Sequence, residues 1–280
     1  MQPQASTTRR GALAIRDVVK TYDVDGARML AVDHCSLSIP AGEICMIVGP
    51  SGCGKTTLLN AIAGFHDIDS GSIALDERSL CGPGQPLAPI GSDRIVVFQN
   101  GALFPWKTNL DNIAFGPLAQ RKLSRKQAHA RAKELMFEAG LGGYENKYPG
   151  ELSSGLQRRV EIVRALINDP AVLLLDEPYR ALDALSKSVM HEALLGAYYR
   201  TGVTIFFITH DLEEAIFLGH RVVVMTSRPC RPKKTFVVDI PHPRRYDALT
   251  SSRFRELAAE ISAAVDEEAA AAFALGEREN

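Results

Sequence analysis

The strongest chemical signal in the sequence is a glycine-rich segment, Gly49-Pro50-Ser51-Gly52-Cys53-Gly54-Lys55-Thr56. It fits the pattern G-x-x-x-x-G-K-[ST], which lies between a strand and a helix. The glycines let several backbone N–H groups converge on one anion, and the helix N-terminus and Lys55 add positive charge. The Thr56 hydroxyl can ligate Mg²⁺, and Thr57 follows it. The segment therefore predicts a loop that binds nucleotide phosphates, and a chance turn is the weaker alternative.

A pair of adjacent carboxylates, Asp176 and Glu177, follows the apolar run Val172–Leu175. A buried strand that ends in two carboxylates is costly unless a cation or a polarised ligand compensates their charge. Because successive strand residues point in different directions, one carboxylate can serve a Mg²⁺ ion while the other faces a water molecule. Asp176 suits the first role and Glu177 the second, as general base or water-orienting group. Without the phosphate loop, an exposed acidic pair would be the simpler interpretation.

Composition excludes several classes of protein. The 280 residues include 32 Lys and Arg and 33 Asp and Glu, a formal net charge of −1. A protein that coats nucleic acid normally carries a basic surplus, so no nucleic-acid partner is predicted. No apolar run approaches the roughly 18–20 residues that cross a bilayer. The five cysteines are scattered without C-x-x-C pairs, which favours neither a zinc site nor a disulfide framework, and indicates a reducing compartment.

Strand and helix patterns alternate along most of the chain. Ser124 with Gln127 matches a capping box, and Asp211 with Glu214 marks a second helix start. The alternation predicts an α/β fold with a mostly parallel sheet, two antiparallel strands at the start and one all-helical insert. The predicted strands span 12–19, 34–39, 43–48, 72–75, 94–98, 171–175, 203–208 and 221–225, and the predicted helices 55–63, 186–199, 212–218 and 254–272.

The same patterns divide the chain into three regions. Residues 1–11 lack the apolar stretch of a signal peptide and are predicted to be a disordered start. Residues 12–250 are predicted to form the α/β domain, with a helical subdomain at about 104–169. Residues 251–280, rich in Ala and Glu, are predicted to form a helical tail.

The order of the motifs resembles that of the ATP-binding-cassette (ABC) ATPases over about Leu13 to Met225. The motifs are the phosphate loop, a lone glutamine, an L-S-x-G-x-Q segment, the acidic pair, A-L-D and I-T-H. The resemblance implies a P-loop NTPase (RecA-like) core with an antiparallel β subdomain and a helical insert, and Mg-ATP as cofactor. The importer ATPases for taurine, alkanesulfonates and nitrate are similar, the taurine type most of all, over Gly49–Phe65, Val96–Trp106, Leu173–Leu185 and Ile208–Phe217.

The resemblance also implies roles for residues outside the phosphate loop. Tyr22 stands where the family stacks an aromatic ring on adenine, although a tyrosine in the core at a strand end is the simpler alternative. Gln99 stands at the switch that reaches Mg²⁺ and senses the membrane subunit. His210 matches the contact to the γ-phosphate. Taken alone, an isolated Gln or His is most often an ordinary polar residue.

Four further residues match motifs that act across a dimer. Ser153, Gly155 and Gln157 match the signature that contacts the nucleotide bound by the opposite subunit, and Asp183 matches the loop that crosses the interface. Taken alone, the Ser-Ser-Gly segment predicts only a helix N-cap. The resemblance implies a homodimer that holds two Mg-ATP at its interface.

Several positions depart from the family pattern. Ser154 replaces the first glycine of the signature, Glu161 stands where Gly is usual, and Tyr179-Arg180 replaces a Phe-Gly or similar pair. If Ser154 has to adopt a positive φ, its Cβ costs about 1–3 kcal/mol. We therefore expect slower hydrolysis and weaker dimer closure than in relatives with two glycines.

The resemblance implies an ATPase subunit on the cytoplasmic face of the inner membrane, bound there peripherally. Its partners would be integral membrane permease subunits and, indirectly, an external solute-binding protein for a small anionic solute. The aromatic segment Phe104-Pro105-Trp106 is a candidate docking contact, or else core packing of the insert. The alternatives are an exporter or lipid-transport cassette, an ATPase of DNA repair or translation, and a regulatory module that binds ATP with weak turnover.

Overall fold

A computed structural model describes residues 10–82, 84–180 and 182–274 of the chain. Most of the predicted disordered start, together with Pro83, Ala181 and the last six residues of the predicted tail, lies outside these ranges. The strands are β1 Leu13–Val24, β2 Ala27–Ile39, β3 Ile44–Val48, β4 Ser70–Leu75, β5 Arg78–Cys81, β6 Arg94–Val97, β7 Val172–Asp176, β8 Thr204–Ile208, β9 Arg221–Met225 and β10 Pro232–Val237. The α-helices are α1 Lys55–Ala63, α2 Asn109–Ala119, α3 Arg125–Glu138, α4 Ser154–Leu166, α5 Ala184–Thr201, α6 Leu212–Leu218 and α7 Ser252–Ala274.

The larger sheet has the strand order β10-β9-β3-β8-β7-β6 and is parallel except for β10, which pairs antiparallel with β9. Every residue of β3, β7 and β8 is buried, as their continuous apolar runs predict. Because the three strands are parallel neighbours, their carboxyl ends meet at one edge of the sheet. The phosphate loop, the acidic pair and His210 follow those ends, so this topology brings them together.

The smaller sheet is antiparallel with the order β2-β1-β4-β5. The predicted alternation in β2 is confirmed, since Cys35, Leu37 and Ile39 are buried between exposed neighbours. Their side chains share one core with α1 and with one face of the larger sheet. The mostly parallel sheet and the antiparallel β subdomain of the predicted fold are therefore both present.

Two strands lie where no strand was predicted. β5 has only four residues, and β10 begins with a proline and two lysines. Each of these strands occupies the edge of its sheet. Polar and proline-rich edge strands discourage pairing with other chains and lack the apolar alternation that predicts a strand.

The helical insert is formed by α2, α3 and α4, which enclose a core of their own. Helix α2 begins at Asn109 rather than near Phe104, because the Thr108 side chain caps it by accepting from the Asp111 N–H. The predicted Ser124–Gln127 capping box at the start of α3 is confirmed. The helix-like pattern over 104–169 is interrupted by a turn at 139–143, where Gly140 and Gly143 have positive φ.

Helix α7 confirms the predicted C-terminal helix. Its buried residues Phe254, Leu257 and Ile261 join the core on the other face of the large sheet. The Glu268 side chain accepts a hydrogen bond from the Ser227 N–H at 2.8 Å, which ties the helix to the turn between β9 and β10. Within the described ranges, no helix combines the length and apolar character needed to cross a membrane.

Candidate active site

A cleft of about 340 Å³ gathers most of the residues that the sequence singles out. The phosphate loop and the start of α1 contribute one wall, and the acidic pair at the end of β7 contributes another. Tyr22 and Gln99 also line it, together with Arg180, which departs from the family pattern, and Arg228, which lies outside the motifs. His210 lies next to the cleft through its contact with Glu177.

The phosphate loop wraps in a way that only glycine permits. Gly54 has φ +118°, and a Cβ there would lie 2.4 Å from the Ala31 carbonyl oxygen. Lys55 is buried, and its ammonium donates to the carbonyl oxygens of Gly49 at 2.8 Å and Pro50 at 2.7 Å. The loop therefore holds a buried positive charge at the N-terminus of α1, the arrangement that binds phosphate.

Asp176 and Thr56 meet in the cleft. The Thr56 hydroxyl donates to Asp176 Oδ2 at 3.0 Å, and burial raises the pKa of the Asp176 carboxyl. A buried carboxylate beside a hydroxyl is a set of hard oxygen ligands, and a cation there would compensate the cost of burying the charge. Gln99, on the same cleft, could add an amide oxygen. The oxygen atoms of Thr56, Asp176 and Gln99 are therefore suitable ligands for Mg²⁺.

Glu177 lies between the side chains of Arg180 and His210. Only 13% of its side chain is exposed, and Oε2 is 3.1 Å from Arg180 Nη1 and 3.6 Å from His210 Nδ1. Its backbone has a φ of +43°, and its N–H donates to the Ile208 carbonyl at 3.0 Å. Strain of this kind persists where the surrounding structure fixes a functional side chain. A carboxylate held this way can accept a proton from water.

The Gln99 segment is fastened to helix α4 by Arg158. The guanidinium donates to the carbonyl oxygens of Phe98 and Gln99, each at 2.6 Å, and to Glu161 Oε2 at 2.6 Å. The buried Glu161 in turn accepts from the Ala102 N–H at 2.5 Å. Glu161, a departure from the family pattern, is therefore the partner of an arginine that positions the Gln99 loop. Residue spacing does not predict the contact between Arg158 and the Gln99 segment, because about sixty positions separate them.

The signature residues lie apart from this cleft. Ser153 caps α4 by accepting from the Leu156 N–H at 3.4 Å, and Gln157 donates to the Leu152 carbonyl at 3.0 Å. Gly155 faces Ser186 at ordinary contact distance, and Asp183 caps α5. In the described part of the chain these four residues do not line the cleft. A second chain would have to bring them to a nucleotide, and this role stays a prediction.

The expected cost of Ser154 is not supported. Ser154 is the first residue of α4 and is exposed, and its φ is not positive, so its Cβ causes no strain. We now expect Ser154→Gly to leave ATP turnover within about twofold of wild type and to lower the free energy of unfolding by about 0.5 kcal/mol. Steady-state hydrolysis and urea denaturation measure the two effects, and a several-fold gain in turnover would restore the original expectation.

Tyr179 replaces the usual Phe and buries its hydroxyl. The residue is 1% exposed, and among the described residues its hydroxyl has no hydrogen-bond partner. Removing an unsatisfied buried hydroxyl should stabilise the fold, so we expect Tyr179→Phe to raise the free energy of unfolding by about 1 kcal/mol. Tyr198→Phe is the matched control. The buried Tyr198 hydroxyl donates to the Gly42 carbonyl at 2.6 Å, so its removal should lower the free energy of unfolding. Urea denaturation of both variants tests the contrast, and a destabilised Tyr179→Phe would contradict it.

Comparisons with known proteins identify the family of the chain. Residues 32–180 match the ABC transporter family. The chain is 43% identical to the taurine import ATP-binding protein TauB of Rhizobium johnstonii, over 85% of this chain and 90% of the relative. It is 40% identical to the nitrate import ATP-binding protein NrtD of Synechococcus elongatus, over 91% and 92% of the two chains. Its fold is similar to the dimeric structure of MJ0796, a bacterial ABC transporter cassette, with a TM-score of 0.71, 30% identity and coverage of 82% and 100%. The predicted resemblance is confirmed, and the chain belongs to the ABC transporter family as one of its ATP-hydrolysing cassettes.

Proposed function

We propose that this cassette powers the import of a small anionic solute such as taurine, an alkanesulfonate or nitrate. The observation that carries the proposal is the similarity, at 40% identity or more over most of the chain, to ATP-binding proteins of taurine and nitrate import. The solute itself would be selected by other subunits, because the cleft of this chain is lined by nucleotide-binding residues. Integral membrane permease subunits and, indirectly, an external solute-binding protein are the proposed partners.

Some residues of the chain would bind ATP, and others would orient the attacking water and accept its proton. The loop from Gly49 to Thr57 would hold the phosphates, with Lys55 supplying the full positive charge. Tyr22, on the far wall of the cleft, would stack on adenine. Glu177 would orient the attacking water and accept its proton, and His210 would hold the terminal phosphate from the next strand.

Thr56, Asp176 and Gln99 would hold Mg²⁺. When bound, the ion supplies positive charge that neutralises the phosphate oxygens. The 3.0 Å hydrogen bond between Thr56 and Asp176 holds two of these side chains side by side. Arg158 would keep the third, Gln99, at a fixed distance from helix α4 by holding its backbone.

The proposed assembly is a homodimer with two composite sites. The phosphate loop of one chain would face Ser153, Gly155 and Gln157 of the other, and Asp183 would lie along the seam. Ser154 is exposed at the N-terminus of helix α4, and a helix N-terminus attracts anions. ATP would therefore act as the contact between the two chains, and hydrolysis would release them.

The permease would dock beside the Gln99 loop. A second cleft of about 280 Å³ lies there, lined by Phe98, Phe104 and Phe115 among others, and Trp106 next to it is 71% exposed. Large exposed aromatic side chains are typical anchors of protein interfaces. The cassette would thus lie peripherally on the cytoplasmic face of the inner membrane.

Uptake by the purified complex tests this proposal. The complex, isolated through a tag on this chain and reconstituted in vesicles, should accumulate labelled taurine, alkanesulfonate or nitrate only when ATP faces the cassette. The same vesicles with Glu177→Gln chains are the control and should accumulate none. ATP-dependent loss of a solute from the cassette side, or of lipid, would instead support an exporter or lipid-transport cassette. ATP binding without solute-coupled turnover would support a regulatory module.

A further inference from the structure

Two buried thiols meet beside the phosphate loop. Cys53 belongs to the loop and Cys230 to the turn between β9 and β10, and their side chains are 2% and 0% exposed. Both residues belong to one buried cluster, and each thiol is the group that most affects the pKa of the other, although 177 positions separate them in the sequence. All five cysteines of the chain are free. The sequence motifs account for Cys53 as a loop residue and leave Cys230 without a role.

The turn that carries Cys230 is held firmly against the loop. The Arg228 guanidinium donates to the Gly52 carbonyl at 2.9 Å, and the Cys230 N–H donates to the Ala31 carbonyl at 2.9 Å. A Cβ built on Gly54 would lie 2.8 Å from the Cys230 Cβ. The chain on both sides of Cys53 therefore contacts this turn. Such an arrangement keeps the Cys230 side chain against the loop segment that carries Cys53.

The surroundings make the two thiols unequal. Lys55 Nζ lies 3.7 Å from Cys53 Sγ, just before the N-terminus of α1. The hydrogen bond from Cys230, and then the charge of Lys55, hold the pKa of Cys53 below that of an ordinary thiol, against the effect of burial. The same hydrogen bond and burial raise the pKa of Cys230. Cys53 is therefore the better nucleophile, and the thiol of Cys230 is its proton donor.

We propose that Cys53 and Cys230 form a thiol-oxidation site, at which hydrogen peroxide produces a reversible disulfide that disables the phosphate loop. The Cys53 sulfur attacks peroxide, an S–O bond forms, the O–O bond breaks, and hydroxide leaves and takes a proton. The Cys230 sulfur then attacks the Cys53 sulfur, the S–S bond forms, and water leaves with the remaining proton. In total, two thiols and one peroxide give one disulfide and two waters. The regulatory effect rests on the proposed nucleotide-binding role of the loop.

The disulfide would act through the backbone of the loop. Cys53 lies between Gly52 and Gly54, whose φ values of +71° and +118° set the path of the N–H groups. A covalent bond to the turn would pull this segment away from that path and alter the surroundings of the Lys55 ammonium. Because a displacement of about 1 Å in a site can cost about 10²-fold in rate, we expect a loss of turnover of that size.

Peroxide treatment of the reduced full-length chain tests the proposal. We expect a peptide that links Cys53 to Cys230, with a mass lower by two hydrogen atoms than the two reduced peptides together. Turnover and calorimetric ATP binding should fall with its formation and return with dithiothreitol, and bound ATP should slow its formation by fixing the loop. Failure of the reduced chain to bind ATP would contradict the proposed function, whereas the linked peptide reports on the thiol pair independently.

Substitutions at Cys230 provide the matched comparison. Cys230→Ala and Cys230→Ser should keep the turnover of the reduced chain, and their melting temperatures show whether each is folded. Without the second thiol, excess peroxide should carry Cys53 to the sulfinic acid, which dithiothreitol does not reverse. Cys81→Ala, at a buried cysteine of the antiparallel sheet, should behave as wild type. The proposal is wrong if the wild-type chain forms no Cys53–Cys230 peptide, links Cys53 to Cys35 instead, or recovers no better than Cys230→Ala.

Discussion

Lys55→Ala should lower ATP affinity by about 10²-fold or more while the chain stays folded. The Lys55 ammonium is buried in the phosphate loop and is the charge that would pair with the phosphates. A charge-assisted hydrogen bond contributes about 1.5–3 kcal/mol, and the buried phosphate would be left without it. Titration calorimetry measures the affinity.

Lys133→Ala is the control for this substitution. Lys133 is an exposed residue of α3, so its loss removes the same charge away from the cleft and should leave ATP affinity unchanged. Melting temperatures of both variants show whether the fold is intact. A folded Lys55→Ala chain that binds ATP as tightly as wild type would show that the phosphates lie elsewhere.

Glu177→Gln should bind ATP normally, and its rate of ATP hydrolysis should fall by about 10²-fold or more. Glutamine keeps the shape of the side chain but cannot take a proton from water, and general base catalysis contributes at least this factor. The variant also removes the charge that pairs with the Arg180 guanidinium. Single-turnover hydrolysis at saturating ATP isolates the chemical step.

The matched control is Glu213→Gln on the exposed side of α6. It removes one carboxylate that does not line the cleft, so turnover should stay within about twofold of wild type. A Glu177→Gln chain that hydrolyses ATP at the wild-type rate would assign the base to another residue.

The parts of the site that the sequence predicts are local in the chain. The phosphate loop is eight consecutive residues, and Asp176 and Glu177 end a buried strand whose apolar run is visible directly. Parallel strand pairing then follows from the strand–helix alternation, and it brings loop, acidic pair and His210 to one edge. The helices α1 and α6 were predicted with their observed bounds because glycine or an Asp cap marks their ends.

The parts that could not be predicted depend on long-range contacts or on single backbone angles. Arg158 with Gln99 and Arg228 with Gly52 join segments 59 and 176 positions apart, and neither arginine lies in a motif. The edge strands β5 and β10 lack the apolar alternation that marks a strand. The φ of Ser154 depends on where α4 begins, and this position decides whether the serine is strained.

Mixing two inactive variants tests most directly whether ATP is hydrolysed at sites composed of two chains. Lys55→Ala disables the phosphate loop, and Gly155→Asp places a carboxylate in the signature, where a Cβ would meet Ser186 Oγ at the ordinary contact distance of 3.6 Å. If each site is composed of two chains, either variant alone has no intact site. A mixed dimer then has one intact site, formed by the phosphate loop of the Gly155→Asp chain and the signature of the Lys55→Ala chain. We predict that the mixture recovers a substantial fraction of wild-type ATP turnover, and a mixture as inactive as either variant alone would contradict the composite site.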